Sequence, residues 1–137
     1  MCARKLDVVS FCQKIQSSTS EAESLCLRVR GMLQAGGLLS MCFPVELLAR
    51  ECLANALDHG NRGDADKSIS FGFHVGRKWI RLEVHDQGLG FAWQKARLSS
   101  LDQFNASGRG LQLCALYAGR IQFNRRGNKI TLWIRKK

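Results

Sequence analysis

Pro44-Val45-Glu46-Leu47-Leu48-Ala49-Arg50-Glu51-Cys52-Leu53-Ala54-Asn55-Ala56-Leu57-Asp58-His59-Gly60 is the clearest helical pattern in the chain. Val45, Leu48, Ala49, Cys52, Leu53, Ala56 and Leu57 recur at i, i+3, i+4, i+7, i+8, i+11 and i+12, the spacing that puts them on one face. Pro44 suits a first turn, where an absent N–H breaks no helical bond, and His59-Gly60-Asn61 ends the run. Glu51, Asn55 and Asp58 lie at i, i+4 and i+7 and share a stripe. Helical-wheel arithmetic sets that stripe nearly opposite the apolar face, where polar residues are ordinarily solvated. Alone, the stripe does not mark a site.

On the C-terminal side, a polar stretch at 61–67 gives way to alternation. Ile69, Phe71, Phe73 and Val75 mark one strand, and Ile80, Leu82 and Val84 mark another beyond the Gly76-Arg77 turn, forming a hairpin. The same period of two places Asp86 on the face of Ile80, Leu82 and Val84, so a carboxylate ends the strand while pointing toward the core. An unpaired buried charge is costly. Asp86 therefore needs a donor, and Gly88 and Gly90 beside it leave the backbone open to close approach; an aspartate that caps its own turn accounts for the stretch equally well. Farther on, Ser107-Gly108-Arg109-Gly110-Leu111 opens a helix of about 110–117, an arrangement that lets backbone N–H groups face an anion but also suits a flexible turn. A second hairpin, Ile121–Arg125 and Lys129–Arg135 across Gly127-Asn128, ends the chain.

On the N-terminal side, a strand is expected around Leu6–Ile15. A helix is expected from about Glu21 to Leu33, with Ser20 and Glu23 as a capping-box pair and Ala35-Gly36-Gly37 as its stop. With no repeat or linker, these elements make one α+β domain over 1–137: a mostly antiparallel sheet with helices on one face, in a two-layer sandwich.

The 137 residues, 45% hydrophobic and 23% charged, suffice to close a core without disulfide or metal staples. The six cysteines form no C-x-x-C pair and have no histidine at zinc spacing, so they read as free thiols and small core residues. No run reaches the roughly 18 apolar residues of a membrane span, and no signal-peptide core opens the chain, so a cytoplasmic protein with no membrane partner is expected. Charge is divided unevenly. Residues 1–66 carry seven Lys/Arg and eight Asp/Glu, net −1, whereas 67–137 carry fourteen against three, net +11. The second half is suited to meet phosphate, nucleic acid or an acidic protein surface. Trp79, Arg81, His85, Trp133 and Arg135 fall on the strand face opposite the core residues, either as a partner or dimer surface or as a face covered by the N-terminal strand.

Together, Glu51-x-x-x-Asn55-Ala56-x-x-His59-Gly60, Asp86-x-Gly88-x-Gly90-Phe91 and Gly108-x-Gly110-Leu111 resemble, in order and spacing, the nucleotide motifs of the GHKL ATPase superfamily. The resemblance spans about 44–137. It implies the Bergerat fold, with ATP between the helices and a lid. It further implies that Asn55 holds Mg²⁺, that Asp86 bonds the adenine amino group, that Gly88 and Gly90 make room for the base, and that Gly108, Arg109 and Gly110 meet the phosphates. Mg²⁺ takes a few hard oxygen ligands beside phosphate oxygens, and an amide oxygen is one such ligand.

Glutamate rather than histidine four residues before the asparagine is similar to the anti-sigma serine kinases and to the gyrase, chaperone and mismatch-repair ATPases. A chain of this length leaves no room for the further domains those ATPases use, and the loop from Phe91 to Ser107 suits a compact lid. The resemblance thus points to a protein serine/threonine kinase of the RsbW and SpoIIAB type. Glu51 would be its catalytic base, and it would hold a sigma factor or phosphorylate a STAS-domain antagonist, as a homodimer and with no direct nucleic-acid partner. Two other readings stand beside it: an ATP-binding regulator without phosphotransfer, and a basic nucleic-acid-binding module that uses the two tryptophans as a stacking sheet.

Overall fold

The computed structural model describes residues 9–90 and 110–137, the side chains of 110–113 excepted. The alternating hydrophobic segments become strands β1 (Val9–Gln16), β2 (Ser68–Val75), β3 (Trp79–His85), β4 (Arg120–Phe123) and β5 (Lys129–Arg135). They form a five-stranded sheet in the order β1-β2-β3-β5-β4, with every neighbouring pair antiparallel. Ile69, Phe71, Phe73, Val75, Ile80, Leu82 and Val84 are all buried, as their alternation requires. Each such side chain contributes about 1.5–3 kcal/mol by leaving water.

Three helices cover that apolar face: α1 (Thr19–Ala35), α2 (Cys42–Asn55) and α3 (Gly110–Tyr117). Their buried residues join the inward strand residues in one core, including Leu25, Val29, Leu48 and Leu53. The architecture is α+β, with helices on one face of an antiparallel sheet.

Several boundaries differ from the sequence expectation. The cap of α1 is Ser18, whose hydroxyl accepts from the Glu21 N–H at 3.3 Å, while Glu21 accepts from the Gln16 N–H. Ser20 and Glu23 lie inside the helix instead; Glu23 is drawn away by an arginine of α2. The start expected for the first strand, at residues 6–8, lies outside the described residues. β1 is the edge strand next to β2 and does not lie over the outer sheet face. Beyond Asn55, α2 widens into a single π turn, Ala56–Gly60, closed by Asn61 N–H donating to the Ala56 carbonyl at 2.8 Å.

An ion-pair network joins α1 to α2. Arg30 holds Glu46 with two hydrogen bonds of 2.7 Å, and Arg50 reaches Glu46 at 3.0 Å and also grips Glu23. The Arg30 hydrogen bond, aided by Arg50, holds the buried Glu46 carboxyl below its ordinary value of 4.5 against the opposing effect of burial. A depressed folded pKa means stability that is present above 4.5 and lost as pH falls through the lower folded value. Glu46→Ala is accordingly expected to cost about 1–3 kcal/mol at neutral pH, with the gap to the parent narrowing in urea titrations below pH 4.5.

Candidate functional site

Asn55 and Asp86, far apart in sequence, line one cleft. Cys52 and Asn55 come from α2, Ala56, His59 and Gly60 from the π turn, Val84 and Asp86 from the end of β3, and Gly127 to Ile130 from the last hairpin. The cleft therefore opens where the helical layer parts from the sheet at one end of the core.

Asn55 departs from the expectation for its stripe. It is 6% exposed, not solvated, because it lies two helical turns after Leu48 and so borders the apolar face instead of opposing it, on a helix flanked by α1 and α3 that also meets β3. Asp58, on the same stripe, is exposed. The Asn55 Nδ2 is buried and has no hydrogen-bond partner among the described residues. Leaving such a group unpaired costs about 1–3 kcal/mol, which marks the position as one that a ligand completes. Turning the amide over presents Oδ1 there instead, a hard oxygen of the kind Mg²⁺ accepts. Among the described residues no three His, Cys, Asp or Glu side chains group to hold a metal. Asn55 thus fits a metal only as one ligand beside oxygens brought by a nucleotide.

Asp86 is half-buried at the strand tip, and its Oδ1 accepts from the Gly88 N–H at 2.7 Å. Burial raises its pKa above the ordinary 3.8, opposed by that hydrogen bond and by His85 and Lys67. Its surroundings explain the glycines. A Cβ on Gly60 would run into the Asp86 carboxylate, and one on Gly88 into the Gly60 carbonyl. Gly90 has φ +84°, and a Cβ there would strike the Arg126 carbonyl. The spaces at Gly88 and Gly90 are thus taken by the chain's own backbone. Gly90 still lines the cleft, while Gly88 is buried behind Asp86.

Two asparagines that no sequence pattern singles out hold this loop. Asn61, fully buried, accepts from the Gln87 N–H at 2.8 Å and donates to the Ser68 carbonyl at 3.0 Å. Asn128 donates to the carbonyls of Asp86 and Gly88, each at 3.3 Å, and is oriented by Asn124, which donates to its Oδ1 at 2.7 Å. In sequence both are turn residues, a role common enough to hide a clamp.

Of the other expected site residues, Glu51 is half-buried one turn before Asn55 and is not part of the cleft wall formed by the described residues. Gly108 and Arg109, with the loop from Phe91 to Ser107, lie outside the described residues. Gly110 is the first residue of α3, the helix tied to the cleft wall by Cys52 Sγ and Cys114 Sγ at 4.0 Å. All five described cysteines are free. Burial and the neighbouring Cys114 thiol push the Cys52 thiol well up from its ordinary value.

With this geometry, the comparison that decides the family is a profile of the histidine kinase-like ATPase domain, which matches residues 15–136. The chain belongs to that family. A comparison with curated proteins gave no match. In this histidine kinase-like ATPase domain, the match covers α1 to α3 and β2 to β5 whole, together with the last two residues of β1. No helix among the described residues is long and apolar enough to cross a membrane.

The close packing of Gly60 against Asp86 generates a test. Gly60→Ala is expected to displace the carboxylate and weaken binding of a fluorescent ATP analogue by about tenfold or more, with the far-ultraviolet circular dichroism of the parent retained. Parental affinity would show that Asp86 is held by something other than this contact.

Proposed function

We propose that this ATPase domain is a Mg-ATP-dependent protein serine/threonine kinase that acts as an anti-sigma factor, switching between a sigma factor and a STAS-domain antagonist whose serine it phosphorylates. The observation that supports nucleotide binding most directly is the orphaned Asn55 amide sharing a cleft with Asp86. In this reading Asp86 accepts a hydrogen bond from the adenine amino group. Asn55 contributes one oxygen to Mg²⁺, which supplies charge neutralisation at the phosphates. The N-terminal turn of α3, opened by Gly110 and preceded by Arg109 and Gly108, meets the phosphates.

Glu51 favours kinase chemistry because it lies one helical turn from Asn55 on the same stripe. It would accept the proton of the substrate hydroxyl as the serine oxygen bonds to the γ-phosphorus. The bond from that phosphorus to the β–γ bridging oxygen breaks, and ADP carries away the electron pair. The position of Glu51 outside the described cleft wall favours one competing reading, a regulator that binds ATP and its partners but transfers no phosphate.

Transfer of labelled phosphate from ATP to a STAS-domain protein separates the two. Glu51→Ala is expected to slow transfer by about 10²–10⁴-fold while leaving ATP affinity within about threefold of the parent. Transfer by the variant at the parental rate would remove Glu51 from the chemistry. A parent that binds ATP yet phosphorylates none of the partners it binds would leave the regulator reading in its place.

A further inference from the structure

The nucleotide cleft opens on the helical side of the sheet, and the opposite face carries a different chemistry. Strand register sets its residues side by side. His74, Arg81, Trp133 and Arg120 form one row across β2-β3-β5-β4, and Lys14, Ser70, His85 and Lys129 form a second across β1-β2-β3-β5. Trp79 pairs with Arg135 at the end of the sheet. The Arg120 guanidinium lies 4.8 Å from the Trp133 ring centre, and that of Arg135 lies 5.5 Å from the Trp79 ring centre. One carboxylate, Glu83, serves both Arg81 at 3.9 Å and Lys129 at 3.3 Å. Lys14, Arg120 and Arg135 are exposed and have no acidic partner among the described residues. At one edge Lys14, His85 and Arg126 border a polar cleft with Ser68, Ser70 and Asp86, so that a carboxylate shares it with the cations.

We propose that this outer sheet face binds single-stranded nucleic acid with little sequence preference. Bases stack on the Trp79 and Trp133 indoles, over which Arg135 and Arg120 already lie, and phosphates take the unpaired cations Lys14, Arg120 and Arg135. Stacking on these half-buried indoles requires unpaired bases, which selects a single strand over a duplex. A protein partner fits less well. Protein interfaces are built around a dry apolar centre, and every Val, Ile and Leu of the five strands is turned away from this face. A second copy of the chain docking face to face would set cations against cations.

The sequence expectation of no nucleic-acid partner rested on the stacking sheet leaving the Asn55 and Asp86 motifs without a role. The structure places Asn55 and the two tryptophans on opposite faces, with Asp86 at the strand tip bordering both clefts, so a stacking sheet no longer leaves the Asn55 and Asp86 motifs without a role. The inference does not depend on the kinase reading.

Fluorescence anisotropy of labelled oligo(dT) and oligo(U) of about 12 nucleotides, titrated with the nucleotide-free full chain, tests it. Saturable binding is expected. Its logarithm should fall against the logarithm of salt concentration with a slope of about −3, as for roughly four net phosphate contacts. Combining Trp79→Ala with Trp133→Ala should weaken binding about tenfold or more. Because Trp79 also packs on Gly119, Arg120→Glu with Arg135→Glu gives a second variant that empties no core position, and it should abolish binding. Asn55→Ala should bind the oligomers like the parent, and the arginine variant should bind ATP like the parent. Absence of saturable binding at about 50 mM salt would overturn the proposal. Binding indifferent to both variants would do the same, as would polyglutamate competing as well as an unlabelled oligomer, which would assign the face to an acidic protein.

Discussion

Gly88 lies so close to the Gly60 carbonyl that it has no room for a Cβ, and the Asp86 carboxylate takes the space that a Cβ on Gly60 would need. Everything at the cleft follows from that contact. It can form only because α2 ends in a π turn that delivers Gly60 to the tip of β3. It persists because Asn61 ties the end of that turn to β2 and Gln87, while Asn128 ties the last hairpin to the carbonyls of Asp86 and Gly88. Extra-wide turns at helix ends are common at functional positions. Here the turn sets the end of a helix against the end of a strand, so that an amide on one and a carboxylate on the other share a cavity.

Much of this was readable from the chain, because the controlling patterns are local. Strict alternation at 69–75 and 80–84 determines which face of the sheet is buried, and a one-residue slip would turn all of it outward. The α2 periodicity is as clear, and the strand-end position of Asp86 follows from a period of two. What was not readable depends on contacts between distant segments. Asn55 looked solvated in the company of Glu51 and Asp58, yet it sits beside Leu48 at the edge of the apolar face, and the packing of α2 among its neighbours buries it while Asp58 stays exposed. Gly88 and Gly90 were legible as positions of close approach. The backbone that approaches, from Gly60 and Arg126, comes from separate parts of the chain. Asn61 and Asn128 gave no pattern at all, since one asparagine in a turn looks like another until its carboxamide is seen between two loops.

The division of charge takes on meaning in three dimensions. The acidic residues of the first half include Glu23 and Glu46, consumed in pinning α1 to α2. Four cations of the second half, Arg81, Arg120, Lys129 and Arg135, lie on strands and face away from the helices, where Arg81 and Lys129 share the one carboxylate of Glu83. One sheet thus separates the cleft of Asn55 from a basic surface, and membership in the histidine kinase-like ATPase family bears only on the first.

The central claim is that Asn55 and Asp86 converge on one adenine nucleotide, with Asp86 accepting from the amino group of the base. Calorimetric titration of the parent chain with Mg-ATP and with Mg-GTP tests it most directly, since guanine presents an oxygen where adenine presents that amino group. The account predicts saturable binding of ATP, with GTP at least about tenfold weaker because the buried carboxylate would face another acceptor. Equal affinity for the two nucleotides, or heat from neither, would contradict it.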